Sequence, residues 1–329
     1  DTYLKVFQNN LFPSPVMPTN KNLMESKINF YFDHDNYNLT TGFQVYESLG
    51  KKHSDRYQYV FPSYNFTKNL NLNNLKGTAN FYSSGSNNLK ETNNLRTSIT
   101  NDLEYNSINY FSNKGLKNNF NIYFKNLNSV GKNDETYKSS PSIDGMNIFE
   151  FASSFPLIKE NILSNEILTP KISIRANPGN NMKNHSASNT LISANNIFEI
   201  NRLGITDSFE AGKSLTLGLD YKLDYLKNDE SDDVNDEKKK DKFIEIKLAT
   251  VIRDKVENTI PTTSTIDKKT SNLFGSINNN FFENINLGYD FSIDNDFKTF
   301  ESHSLNSEIS INNFITEFNF IEQRNEIGS

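Results

Sequence analysis

Cysteine and tryptophan are absent from this 329-residue chain, and proline (9) and glycine (14) are scarce. Without cysteine there is no disulfide framework and no thiolate metal site, and thiol usage carries no information about compartment. So few glycines and prolines exclude collagen-like and elastic repeats. No apolar run approaches the roughly 18 residues of a transmembrane helix, an absence that leaves β-barrels untouched, because a barrel strand needs only about ten alternating residues. The net charge of −6 is mild and no basic stripe suits nucleic acid. Apolar residues make up 35%, a small share for a packed soluble globule. Yet aromatics reach 12%, all Phe and Tyr, whereas disordered chains are poor in them.

What is present is alternation. Leu215, Leu217, Leu219, Tyr221, Leu223 and Tyr225 point one way, while Ser214, Thr216, Gly218, Asp220, Lys222 and Asp224 point the other. A period of two over that length is a β-strand with one apolar and one polar face. The pattern returns at Ile285, Leu287, Tyr289, Phe291 and Ile293 against Asn286, Gly288, Asp290, Ser292 and Asp294. Asparagine, the commonest residue, is spread along the whole chain. A barrel that is apolar toward lipid and polar toward a lumen reconciles this composition with this periodicity.

About fourteen segments qualify as strands by alternation and turn punctuation. They centre on residues 28–32, 39–45, 57–66, 75–81, 95–103, 120–124, 149–155, 168–174, 215–225, 243–252, 273–281, 285–293, 305–311 and 314–320. Tight turns are expected at Phe282-Glu283-Asn284, Asp294-Asn295-Asp296 and Asn312-Asn313, where Asn tolerates left-handed backbone. Longer loops are expected at Gly131–Asp144, Asn177–Ala194, Lys227–Lys242 and Asp254–Thr270. Short turns opposite long loops are a membrane-barrel habit. Lys227–Lys242 is a low-complexity charge block, read as a solvated loop.

The segment NIFEINRLGITDSFEAGKSLTLGLDYKL resembles a signature of the LptD family, the outer-membrane lipopolysaccharide-assembly proteins. The matching positions are Asn196, Ile197, Phe198, Asn201, Arg202, Leu203, Gly204, Asp207, Glu210 and Gly212. Leu168-Thr169-Pro170-Lys171-Ile172 is similar to a strand of the family that ends in Pro-Lys or Pro-Arg. Ile260-Pro261 with Ser264, Lys268, Ser271 and Gly275 resembles its following loop and strand, and Arg56-Tyr57 through Phe61-Pro62 a weaker upstream block. The likeness is strong over Phe149–Phe320 and thin before it. It implies a large barrel that passes lipopolysaccharide from the periplasm to the outer leaflet of a Gram-negative outer membrane. It also implies an upstream periplasmic jellyroll, a lumenal lipoprotein plug (LptE-like) and periplasmic Lpt bridge proteins. The cysteines that staple jellyroll to barrel in some members are missing here. From Asp1 to the polar tail at Ser329, residues 1–329 are expected to be a partial outer-membrane β-barrel domain, an open fragment of a large antiparallel transmembrane β-barrel, all-β.

Asn196, Asn201, Arg202, Gly204, Asp207, Glu210 and Gly212 form the candidate lumen-loop motif. An Arg beside carboxylates suits bidentate pairing in a shielded site, so a hydrogen-bonded knot folded into the lumen is expected. Its structural reading, a loop anchor, outweighs direct contact with sugar or phosphate by about three to one. Arg175, Lys222 and Lys247 are lumen-face cations, weighed as solvated residues over phosphate contacts. His34, His53, His185 and His303 lack the convergent spacing of a zinc site. The segment from Asp33 begins like a calcium loop, but Asn38 and Gln44 stand where Gly and Glu are required, so a hairpin is expected. No nucleophile elbow, P-loop or dinucleotide fingerprint occurs, so no catalytic residue and no cofactor is nominated. Two rival readings remain: another outer-membrane barrel (porin or receptor), and a soluble β-rich adhesin whose apolar rows would be sandwiched between sheets.

Overall fold

The structure, a computed structural model, describes residues 23–51, 53–72, 75–178, 191–205, 208–225, 242–282, 284–311 and 314–324. Among the described residues sixteen antiparallel strands form one sheet. They are β1 (Leu23–His34), β2 (Tyr37–Ser48), β3 (Tyr57–Leu70), β4 (Gly77–Lys90), β5 (Asn94–Ser107), β6 (Tyr110–Phe111), β7 (Lys117–Lys132) and β8 (Ser142–Ser154). Then follow β9 (Leu157–Glu160), β10 (Ser164–Asn177), β11 (Gly212–Tyr225), β12 (Phe243–Arg253), β13 (Leu273–Phe282), β14 (Ile285–Ile293), β15 (Phe300–Ile311) and β16 (Phe314–Gln323). Fourteen of them neighbour one another in chain order, while the short β6 and β9 lie off this path against β7 and β10. Among the described residues β1 pairs only with β2, and β16 only with β15, so the sheet is open, as expected. By contacts the chain divides into two compact units, Asp1–Tyr105 with Tyr123–Gly145, and Asn106–Ile122 with Met146–Ser329.

In the second unit the register aligns apolar side chains in rows. Ile174, Leu215 and Ile252 stand opposite one another across β10, β11 and β12, and Pro170, Leu219 and Leu248 form a parallel row. These rows are not sandwiched. Leu217 and Leu219 are each 38% exposed, whereas Thr216 beside them is 1% exposed. No apolar-row residue of β11 or β14 is buried, and the buried positions there are Ser214, Thr216 and Ser292. The polarity is inverted relative to a water-soluble fold, whose apolar strand faces are covered. An adhesin with its apolar rows between two sheets does not have this arrangement.

The first unit shows the same polarity in β3 and β5. Tyr59 and Phe61 are exposed and in ring contact at 5.7 Å, while Val60 between them is buried. Ile99 and Leu103 of β5 are exposed too. Asp35 and Asn36 make the turn between β1 and β2, the hairpin expected in place of a calcium loop.

Most strands outrun their expected ends, three of them by the most. β4 continues through Ser83–Lys90, β7 reaches Lys132 and β8 starts at Ser142, so the expected Gly131–Asp144 loop shrinks to the residues between them. The β4 extension is almost wholly polar. In the β7 and β8 extensions Leu127, Met146 and Ile148 lie on the covered face, opposite the exposed Phe120, Phe124, Phe149 and Phe151, which breaks the alternation. Backbone pairing needs no apolar residue. Side-chain amides help instead: Asn87 accepts from Thr97 at 2.7 Å and donates to the Phe61 carbonyl at 3.0 Å. The shortened loop is closed by Asp134, which accepts the backbone N–H groups of Thr136 (2.9 Å) and Tyr137 (2.8 Å). The Asn312-Asn313 turn, Glu283, His185, nearly all of the Lys227–Lys242 block and most of the Asn177–Ala194 loop lie outside the described residues.

The packed core sits on the polar face of the second unit. Ile192, Ala194, Ile197, Leu203 and Ile205 from the segment before β11 pack with Ala211, Ala249, Val251, Phe274, Ile260 and Ile266. Charge on the opposite, apolar face should be costly. Leu219→Arg is expected to destabilise the protein in lipid vesicles by about 2–4 kcal/mol, read by urea titration, and a cost below about 0.5 kcal/mol, typical of a water-facing site, would refute hydrocarbon contact.

Candidate functional site

The segment Leu191–Ala211 is shaped by its own amides and glycines. Asn196 accepts the Ser193 backbone N–H at 2.9 Å and donates to the Leu191 carbonyl at 2.8 Å. Asn201 clamps Ile205 from both sides, donating to its carbonyl (2.9 Å) and accepting its N–H (3.0 Å). The clamped turn passes through Gly204 at φ 64°. Gly212, at φ 79°, opens β11, and a Cβ there would meet Glu257 Oε2 at 3.0 Å. Such left-handed backbone favours glycine. Asp207 lies outside the described residues. The segment settles where β11 has no side chain: a Cβ on Gly218 would sit 2.6 Å from the Phe198 ring.

Beneath this segment lies a buried ionic knot. Arg202, 1% exposed, donates Nε to Glu210 Oε2 (2.6 Å) and Nη2 to Glu210 Oε1 (2.5 Å), a bidentate fork. Its remaining donors reach the Ile197 carbonyl (3.1 Å), Thr216 Oγ1 (3.0 Å) and Ser214 Oγ (3.2 Å). Arg253 Nη2 pairs with Glu210 Oε1, and Arg253 also donates to the carbonyls of Ile266 and Ala211. Arg175 completes the ring, with Nη1 at 3.6 Å from Glu210 and Nη2 at 3.3 Å from Glu150. It ties the segment down through the carbonyls of Glu199 (2.6 Å) and Phe198 (3.1 Å). Glu150 in turn accepts from Ser173 (2.7 Å) and Asn121 (2.9 Å). In the sheet register Arg175 lies opposite Ser214, and Ser214 opposite Arg253, so the two arginines flank a hydroxyl across three strands.

Sequence reasoning brought Arg202 and Glu210 together but missed Arg175, Arg253 and Glu150 as their partners. The available signal was one charge alternating with apolar neighbours on each strand: Arg175 after Ile174, Arg253 after Ile252, Glu150 between Phe149 and Phe151. Of the three cations read as solvated, Arg175 departs from that reading, while Lys222 and Lys247 form ion pairs that keep solvent contact. Arg175 is buried, Lys222 meets Asp224 at 2.8 Å and Lys247 meets Glu245 at 3.1 Å. Lys171 pairs with Asp220 and lies over the Phe198 ring.

Burial alone would push the Glu210 carboxyl up, but the guanidiniums of Arg202 and Arg253 outweigh it and hold it at about 2. A carboxylate so placed stays ionised at neutral pH and serves neither as acid nor base. Chemically the arrangement can clamp a chain segment and fix charge.

The family model for LptD, LPS transport system D, matches residues 1–328. The chain belongs to the LptD family. The match reaches well beyond Phe149–Phe320, where the residue-level likeness concentrates, so the thin N-terminal part is LptD-like as well. No curated protein matches the chain. LptD membership accounts for the all-β, open antiparallel sheet with an apolar exposed face, since the family is built on an outer-membrane β-barrel, and it makes lipopolysaccharide transport the activity at the level of the family.

Removing one partner from a buried ion pair strands the other charge, so Arg202→Ala is expected to cost about 3–5 kcal/mol. Protease accessibility of the Leu191–Ala211 segment should rise with it, and an unchanged unfolding midpoint would refute the clamp. The Glu210 carboxyl is depressed in the folded state from an ordinary 4.5 to about 2. Its contribution is therefore complete above pH 4.5 and lost as pH falls toward 2, on the order of 3 kcal/mol in all. Unfolding of the wild type in detergent should weaken across that window, while Glu210→Gln, less stable at neutral pH, should show a flatter acid limb. Parallel acid limbs would count against the assignment.

Proposed function

We propose that this chain is part of an outer-membrane β-barrel that carries lipopolysaccharide from the periplasm to the outer leaflet. The inverted polarity of the strands carries this reading. Leu217, Leu219, Ile174 and Phe149 stand exposed on one face, as hydrocarbon contact requires, while Thr216, Ser173 and Arg175 lie covered on the other. The apolar face meets acyl chains and holds the barrel in the bilayer, and the polar face meets water and the saccharide portion of the lipid. The route is passive and direction comes from upstream machinery, because no motif in the sequence binds nucleotide.

Residues 1–329 serve as one partial barrel domain in this reading. Asn196, Asn201, Arg202, Gly204, Asp207, Glu210 and Gly212 belong to a lumenal segment whose role is structural, a wall held against the strands and not a ligand contact. Its partners are a lumenal lipoprotein of the LptE kind and the periplasmic Lpt bridge proteins. A porin would instead need a constriction with opposed unpaired charges, whereas the cations Arg175, Lys222 and Lys247 are each engaged by a neighbouring carboxylate.

The decisive experiment depletes the full-length protein in its host and labels surface lipopolysaccharide. Newly exposed lipid is expected to fall as the protein is lost; a constant surface level would refute the transport reading.

A further inference from the structure

On the polar face of the first unit, β2 to β5, with Leu23 of β1, line a groove of about 640 Å³ without a charged residue. Asp, Glu, Lys, Arg and His are all missing from its lining, which is made mostly of amides and hydroxyls. Charge begins only at its margins, with Glu25 and Lys27 paired on β1 (3.4 Å) and Asp102 paired with Lys125 (2.6 Å).

Seven lining side chains, Gln58, Asn65, Ser84, Ser86, Asn88, Ser98 and Thr100, have no hydrogen-bond partner among the described residues. The Asn88 Oδ1 is moreover buried in the groove wall. The opposite, apolar face of the same strands behaves differently. There Ser83 donates to Asn101 (2.8 Å), Asn101 to Asn126 (3.1 Å), and Asn87 accepts from Thr97 (2.7 Å). On the groove face Gln44 accepts from Tyr46 (3.0 Å) and Ser63 donates to the Gly42 carbonyl (3.4 Å), but most of the amides and hydroxyls are uncommitted, whereas those on the face turned to hydrocarbon are mutually satisfied.

Amides and hydroxyls each offer a donor and an acceptor, which matches the alternating donors and acceptors of sugar hydroxyls. An anionic sugar would find no cation in the lining and would lose hydration without compensation. We infer that this groove binds the uncharged part of the transported saccharide, a neutral hexose-type oligosaccharide. The inference rests on the transport reading above and gives it a specificity: neutral sugars follow β2–β5, and charged groups are excluded from them.

Maltohexaose serves as the neutral probe and hexagalacturonate as the anionic one, titrated against the purified full-length protein in detergent by NMR or calorimetry. Maltohexaose is expected to bind, with the anionic probe at least about tenfold weaker, the equivalent of one or two lost hydrogen bonds. Asn65→Leu with Ser84→Ala should weaken maltohexaose binding by about tenfold without moving the thermal midpoint by more than a few degrees. Equal affinity for both probes, no binding of either, or binding unaffected by the double variant overturns the inference. So does a variant that loses only a co-purifying lipoprotein, because the groove would then be a protein seat. A second readout separates this from the parent reading. In cells, Asn65→Asp with Ser84→Asp should slow surface delivery of lipid bearing a long neutral sugar chain more than delivery of sugar-truncated lipid. Equal slowing, or none, refutes the groove assignment while leaving transport intact, whereas transport itself fails only if depletion leaves surface lipid unchanged.

Discussion

Where no water is at hand, every backbone N–H and C=O has to find its partner within the sheet, and side chains then divide by face. That constraint explains why strands here run to fourteen residues with unbroken register, as between Ser164–Asn177 and Gly212–Tyr225. It also explains why a chain with so few apolar residues can fold at all. Large aliphatic and aromatic groups are concentrated on one face, and the other is left to asparagine, serine and threonine, whose hydrogen bonds are met by neighbours or by solvent. The clustered apolar core is the patch around Ile197, Leu203 and Val251, with Leu127, Met146 and Ile148 buried outside it.

That patch and the arginine–glutamate knot act together. Ion pairs out of water are weak sources of stability, because desolvation cancels much of the attraction. The knot escapes this by spending every Arg202 donor on a carboxylate, hydroxyl or carbonyl. Its apolar cover excludes solvent while the Gly218 gap admits Phe198. Neither half would hold the segment alone: the apolar residues fix its depth, and the guanidiniums fix its orientation.

Much of this is legible in the sequence. The strands from Gly212 onward alternate cleanly, and each appears where the alternation places it. The second half of β4 did not show, because Ser84, Ser86, Asn87 and Asn88 offer no contrast between faces, and the ends of β7 and β8 nearest their shared loop did not, because Leu127, Met146 and Ile148 turn to the covered face. Arg202 and Glu210 could be paired by eye, being eight residues apart, whereas Arg253 is 43 residues from Glu210 and reaches it only through strand pairing. The neutrality of the β2–β5 groove was hidden for a related reason. Its members are scattered over five stretches of an Asn-rich sequence, and only the sheet collects them.

The placement of Arg175 and Arg253 on either side of Ser214 has a bearing on how the chain assembles. In a period-two element a slip by one position turns every side chain to the other surface. A misaligned β10 or β12 would therefore thrust a guanidinium into the acyl chains, while the correct alignment gathers both around one carboxylate. Three long, similar ribbons with many near-equivalent pairings thus have a single alignment in which Arg175 and Arg253 are both neutralised, and the knot works as the key that selects it.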